Sequence, residues 1–556
     1  MNERISRRTF AKTLGCAVVS SLAVPVAFTE GESGKHVLNP LRYRDVDLRT
    51  FMSYGVDHMY HGAIDRRHNC LPFVRFNLTD PPTWAKHIDW GCPHMVGRFV
   101  DALAVTATVS PFEPDDEADA AFKGYLHDCL DNEFTMPFHM TPHGPAQNGW
   151  IHNCREVLLG LLGLASWKGD SESADLAGKF VRSIEKVTRA TGHFPSGSIG
   201  TAGFGSFDPT QLNMCSGRLI RALLNYSRLT GDELGVELGR RFAEVNIKET
   251  FTPDGGLKEA SGNHLHSTQG TMTGLIDLGF FTGEQRYSAL GRRLYENGLR
   301  PWRTSYGWAK EYKTYDDPNH WHYDSGEANN TGDYIESALL LGLNGAPEYF
   351  REAECFIRNG LLAAQVVNTD WIEQSDEPDT EEIVYTDMQR RAHGAFVFTT
   401  PNGYQHYHTD LMGGALQSMS EAYHAIVSHQ DGTCHVNMLF PADTEWLSIR
   451  SDIPRSGRVT LETVRPCEVL VRIPGWIDRK AISLRTNGTS HTPAWHDGEL
   501  SLGRLVPGSK VEITFDQPKR HTDEDAPGYK APFAIDWIGD TIVAMNPGRE
   551  GRIPLY

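Results

Sequence analysis

Five short stretches concentrate the side chains that can do chemistry. They are His87-Ile88-Asp89-Trp90; Gln147-Asn148-Gly149-Trp150-Ile151-His152; Asn263-His264-Leu265-His266; Trp321-His322-Tyr323-Asp324-Ser325-Gly326-Glu327-Ala328-Asn329-Asn330; and Tyr404-Gln405-His406-Tyr407-His408-Thr409-Asp410. Each stands just before an apolar run. This mixture suits a sugar, whose apolar ring faces pack on aromatic side chains while its hydroxyls hydrogen-bond with Asn, His and carboxylates. Taken singly, any cluster reads equally well as helix caps and packing aromatics. All five on one side of a repeat argue for a common mouth.

Glycosidic cleavage takes two carboxyl groups, one a proton donor and one a nucleophile or base. The candidates are Glu311 (in Trp308-Ala309-Lys310-Glu311-Tyr312), Asp324, Glu327 and Asp410. Glu327 lies in a Gly-flanked segment ahead of an apolar helix, which turns its carboxylate into the mouth; capping that helix is its structural alternative. For Asp410, directly before Leu411-Met412-Gly413-Gly414, capping and catalysis are equally expected. His408 is the next candidate. Trp90, His94, His264, His266, Trp321 and Tyr404 are expected to line a sugar subsite. His-x-His occurs at 264/266, 320/322 and 406/408. In an extended segment that spacing puts both rings on one side and, with a carboxylate, is a zinc-binding pattern. Hydrogen bonding to sugar is the favoured use, and no cofactor is expected.

Helices must carry these groups. Leu158–Asp170, Leu219–Asp232, Thr271–Glu284 and Tyr334–Ala346 each run from an apolar helix-like segment into a glycine, at 169, 231, 283 and 345. The spacings of 62, 52 and 62 residues exceed the roughly 34–47 of common helical solenoids and leave room for long loops. Six apolar segments, beginning near His94, Trp150, Asn213, Ser267, Gly332 and Leu411, read as inner helices. Charged amphipathic segments such as Ser173–Thr188, Leu234–Ile247 and Gln285–Leu299 read as an outer ring. The expectation is an (α/α)6 toroid over residues 31–431, its inner helices parallel and their starts gathered at one mouth. Residues from about 30 to 85 show little periodicity and are expected to wrap the outside. After Gly432 the period changes to two, in Cys434–Phe440, Val459–Val464, Cys467–Ile473 and Lys510–Phe515, which predicts a C-terminal antiparallel β-sandwich over 432–556.

Residues 1–30 read as an address. Ser6-Arg7-Arg8-Thr9-Phe10-Ala11-Lys12 is a twin-arginine pattern before a short apolar run, so a bacterial periplasmic or secreted location is expected, with no membrane span after signal removal. The net charge of −18 over 556 residues, without a basic run beyond the signal, makes nucleic acid and anionic membranes poor partners. Oligomeric state is not legible. Eight cysteines lie outside the signal without a Cys-x-x-Cys; disulfides are open after export, but spacing does not pair them.

The chain resembles the glycoside hydrolase family 127 group, the β-L-arabinofuranosidase-like enzymes. Trp90–Leu103 is similar to that group's first inner helix and His266–Glu284 to a mid-barrel helix. Gly326-Glu327-Ala328-Asn329 stands where the family has Glu-x-Cys, and Leu470-Val471-Arg472-Ile473-Pro474-Gly475-Trp476 is similar to its Arg-Ile-Pro-Gly-Trp strand. The resemblance implies an (α/α)6 barrel with β-sandwich modules, and Glu311 in the place of an acid/base glutamate. It also implies a zinc held by a glutamate and three cysteines, one of them the nucleophile. Here Asn329 replaces one cysteine, the expected Cys-Cys pair falls near Tyr407-His408, and no cysteine lies between Cys355 and Cys434. Zinc-thiolate catalysis is therefore not available. The resulting expectation is an exported glycoside hydrolase acting on an oligo- or polysaccharide, with Glu311 as proton donor and Glu327 as base or nucleophile. A polysaccharide lyase acting on uronic acids and a non-catalytic sugar-binding protein are the alternatives.

Overall fold

In the computed structural model, the described residues are 37–40, 46–87, 92–141, 144–195, 212–315, 317, 320–548 and 552–556; the twin-arginine segment and Trp90 lie outside them. Twelve helices form two concentric rings. The inner ring is α2 (Cys92–Thr106), α4 (Cys154–Gly163), α6 (Ile220–Thr230), α8 (Leu265–Thr282), α10 (Ala328–Leu343) and α12 (Leu411–Ala425). The outer ring is α1 (Leu48–Asp57), α3 (Asp116–Asp128), α5 (Ser171–Thr188), α7 (Leu234–Thr250), α9 (Gln285–Arg293) and α11 (Tyr349–Phe356). Each inner helix packs on the next and α12 packs back on α2, which closes the toroid.

Burial explains the two classes. Along α8 every residue from Leu265 to Gly279 is buried, as a helix enclosed on all sides requires. In α5 the buried Ala177, Phe180, Val181 and Ile184 make a single stripe, and the remaining face is charged. The four repeat glycines take the left-handed conformation, with φ of 67°, 77°, 77° and 99° at 169, 231, 283 and 345. A Cβ there would meet no neighbour, so it is this backbone conformation, ending an inner helix before the chain turns outward, that calls for glycine.

Residues 30–85 do more than wrap the outside. Leu48–Asp57 is the outer helix that packs on α12, and Arg75–Asn77 and Trp84–Lys86 are strands of a five-stranded sheet with Gly403–His408, Phe398–Thr400 and Ile383–Val384. α6 starts at Ile220 because a wider turn over Asn213–Gly217 precedes it.

Beyond Val427 the chain is β-rich. One sheet runs, in spatial order, Val427–Gln430, Thr433–Val436, Cys467–Val471, Glu499–Leu505 and Ala494–His496; the second has six strands centred on Arg458–Thr463 and Lys510–Thr514. Pairing is antiparallel except between Thr433–Val436 and Cys467–Val471. The last three strands, 519–546, form their own sheet, tied to the helical layer by Asn359 Nδ2 donating to the Asp540 carbonyl at 2.8 Å. The eight cysteines outside the signal are free and buried in this structure. No described helix is long and apolar enough to cross a membrane.

Candidate functional site

A ladder of backbone contacts brings distant segments together at the mouth of the ring. Gly326 bridges both Thr399 and Lys310, and Tyr312 bridges His264. Glu311 lies between these contacts: its N–H donates to the Ser325 carbonyl at 3.0 Å and its carbonyl accepts from the Leu265 N–H at 2.8 Å. Gly326 is needed because a Cβ would run into the Trp308 indole. This ladder carries Glu311 to the starts of α8 and α10.

His264, Glu327 and Asp410 occupy the residues immediately before α8, α10 and α12, yet none of their side chains makes a capping hydrogen bond. The capping alternative thus fails for both carboxylates. One side-chain atom each of His264, Glu311 and Glu327 lies within 4.8 Å of the others, and His264 Nε2 is 4.0 Å from Glu327 Oε2. Glu311 Oε2 accepts from Ser325 Oγ at 2.5 Å and is hydrogen-bonded with His322 Nδ1 at 2.7 Å. Asn329 Nδ2 donates to Glu327 Oε1 at 2.6 Å and reaches the Asp410 carbonyl at 3.4 Å.

The two acids differ in electrostatics. Burial pushes the Glu311 carboxyl well up; the Ser325 hydrogen bond draws it back in part, and the Asp410 charge raises it further. Burial also raises Glu327, with Glu311 and Asp410 adding to the effect, but the Arg98 guanidinium and the Asn329 amide oppose it. A pair this close does not ionise twice at once. The cation and the amide N–H favour charge on Glu327 and the shared proton on Glu311. His322 and His264 are neutral, pushed down by burial to about 4 and about 3.

Beneath this bowl lies a layer of buried charge. Glu156, fully buried, pairs with Arg155 at 2.7 Å, with Arg98 at 3.6 Å and with Arg218. Glycines make room for it: a Cβ at Gly97 would collide with the Glu156 backbone, and one at Gly413 with Arg98. His94 and His266 belong here and not to the sugar surface. His266 Nδ1 bonds Asp333 at 2.6 Å while its Nε2 faces Arg98 at 2.9 Å and Arg155 at 3.2 Å, so both ring nitrogens are engaged. His94 accepts from Arg98 at 3.1 Å and stacks on His152. Tyr404 is buried and its ring packs against Trp371. His408 hydrogen-bonds with Arg75 and His406, and burial holds its ring on the neutral side. Asp324 accepts from Gln405. Trp321 falls in a short turn, Trp321–Tyr323, beside the bowl residue His322.

The thiolate-held zinc that the resemblance implies does not fit these residues. Asn329 stands in place of a cysteine and donates its N–H to Glu327 Oε1, and Tyr407 is hydrogen-bonded to His58; the donor atoms that do converge, on His264, Glu311 and Glu327, include no sulfur. Each described cysteine is a buried free thiol, none of them in the clusters whose donor atoms converge. Sequence reasoning missed Ser325, Arg75 and the three arginines at the barrel centre. Arginine in otherwise apolar inner helices was the available signal for Arg98.

No family model and no curated protein sequence matches the chain. Solved structures do. The fold is that of the (α/α)6 glycosidases. A GH127 β-L-arabinofuranosidase from Geobacillus stearothermophilus T6 is similar over 88% of this chain and 85% of its own, with a TM-score of 0.57 at 14% identity. A second GH127 β-arabinofuranosidase is similar over 91% and 83%, with a TM-score of 0.56 at 14% identity.

Proposed function

We propose that this chain is an exported glycoside hydrolase in which Glu311 is the proton donor and Glu327 the nucleophile. The observation that carries the reading is the buried pair itself, two carboxyl groups with oxygens within 4.8 Å of each other and of His264. One oxygen of each carboxyl lies within 4.8 Å of the other, an approach close enough to suit the roughly 5–5.5 Å between the groups of retaining enzymes. In the first step Glu327 forms a bond to the anomeric carbon as the glycosidic C–O bond breaks, and the Glu311 proton passes to the departing oxygen. In the second, water attacks the same carbon, gives its proton to Glu311 and releases Glu327.

The rings of His264, Tyr312, His322 and His320 follow one another at centroid separations of 4.9–5.1 Å, a wall on which a sugar face can pack. Location in the periplasm or outside the cell rests on the twin-arginine pattern alone. The test is a screen of aryl glycosides and plant or algal polysaccharides, with the anomeric form of the first product read by NMR. Hydrolysis with retention supports the reading; an unsaturated product identifies a lyase; binding without turnover identifies a sugar-binding protein.

A further inference from the structure

Arg75 is anomalous. Arg98, Arg155 and Arg218 share Glu156, Arg221 has Glu336 and Glu421, and Arg303 has Glu352, while Arg391, without a carboxylate among the described residues, spends its guanidinium on the Thr386, Gly62 and Ile64 carbonyls. Arg75 is half-buried and has no acidic partner among the described residues. Its Nε donates toward His406 Nε2 at 3.2 Å and His408 Nε2 at 3.3 Å, and its two terminal nitrogens hydrogen-bond to none of the described residues.

Its nearest neighbours among the described residues are imidazoles; the acids that act on them, Asp317 on His320 and Asp410 on His322, form no ion pair with Arg75. Arg75 pairs with His408 across the ladder, so both side chains stand on one face of the sheet, with His406 two residues along the same strand. His320 and His322 complete the surround: burial first, and the Arg75 charge with it, holds all four imidazoles on the neutral side. His322 also hydrogen-bonds Glu311. A guanidinium whose terminal N–H groups bond none of the described residues therefore stands one imidazole away from the proposed acid, in a chain of net charge −18. Half-burial strips part of its water without supplying an anion, and a guanidinium fork matches a carboxylate or sulfate bidentately.

We infer that Arg75 is the specificity-determining residue of this bowl and that the sugar seated there carries an anionic group, a carboxylate or a sulfate ester. The inference rests on the bowl being a sugar site, and it names the class of sugar.

The test uses the full-length protein and calorimetric binding of galacturonate and glucuronate oligosaccharides, their carboxyl-reduced counterparts, and sulfated and desulfated chondroitin oligosaccharides. The expected result is that removing the anionic group weakens binding by roughly 10- to 100-fold, as for loss of hydrogen bonds to a charged group. Arg75→Met should abolish that discrimination and Arg75→Lys should keep part of it. Which pair shows the larger ratio, uronate or sulfate, identifies the anion. Equal binding of charged and neutral forms by the parent protein overturns the inference and leaves the sugar site standing. Binding of no sugar at all overturns both. Uronate discrimination with an unsaturated product keeps Arg75 in its role and overturns hydrolysis instead. The comparison of charged with reduced ligands needs no variant, so poor folding of Arg75→Met does not block the test.

Discussion

Asn329 Nδ2 lies 2.6 Å from Glu327 Oε1, so an amide N–H addresses the carboxylate at the position where the resembling family has a thiolate. The amide stabilises negative charge on Glu327 without a metal. Asn329→Leu should raise the Glu327 pKa and lower kcat by roughly 10- to 100-fold, the worth of a hydrogen bond to a charged group. Steady-state kinetics on any substrate found by screening checks this, with a smaller change expected in KM.

Because the residues around Glu327 do not suit a thiolate-bound zinc, chelation should be harmless. Prolonged EDTA treatment is expected to leave kcat/KM unchanged, and added zinc should not raise it. Metal analysis of the treated protein alongside the assay is the check. Loss of activity restored by zinc would refute a carboxylate-only mechanism.

The Ser325 hydroxyl lowers the Glu311 pKa by hydrogen bonding to Oε2 at 2.5 Å. Its removal in Ser325→Ala should raise that pKa, so the alkaline limb of the kcat/KM profile, where the acid loses its proton, should move to higher pH. A profile that stays in place would mean that Glu311 does not control that limb.

Glu311 and Glu327 are both raised in the folded protein from the ordinary 4.5. The native state then holds protons that the unfolded chain has released. The associated stability is fully present below about pH 4.5 and declines as pH rises toward the native values. Glu327→Gln is neutral at every pH, so its Tm should match the parent near pH 4 and exceed it at pH 8. Calorimetry across that range reads the difference.

The charge layer below the bowl has a structural role. Glu156→Gln leaves Arg98, Arg155 and Arg218 without their shared counter-ion, and a broken buried pair costs about 3–5 kcal/mol. Denaturant unfolding should show that loss with the m-value unchanged.

Much of this architecture is legible from local pattern. Helical periodicity, the glycines at 169, 231, 283 and 345 and the later period-two strands mark the toroid and the β-rich end, because burial imposes them residue by residue. Glu311 and Glu327 are legible as candidates, but their proximity depends on the ladder through Gly326 and Thr399, which no local pattern encodes. His94 and His266, expected at the sugar surface, lie one layer below it. The residue just before an inner helix, such as His264, faces the bowl, whereas two residues later the chain has entered the ring and His266 meets Arg98 and Asp333. Arg75 escaped notice because its strand has three residues and its partners are more than 300 positions away.

The most direct measurement compares turnover of Glu311→Gln and Glu327→Gln with the parent on two glycosides of one sugar, one with a good and one with a poor leaving group. Glu327→Gln should fall by roughly 10^2- to 10^4-fold on both, and Glu311→Gln by that much only on the poor leaving group, which needs the proton. Turnover by either variant within a few-fold of the parent on the poor leaving group would contradict the paired-carboxylate mechanism.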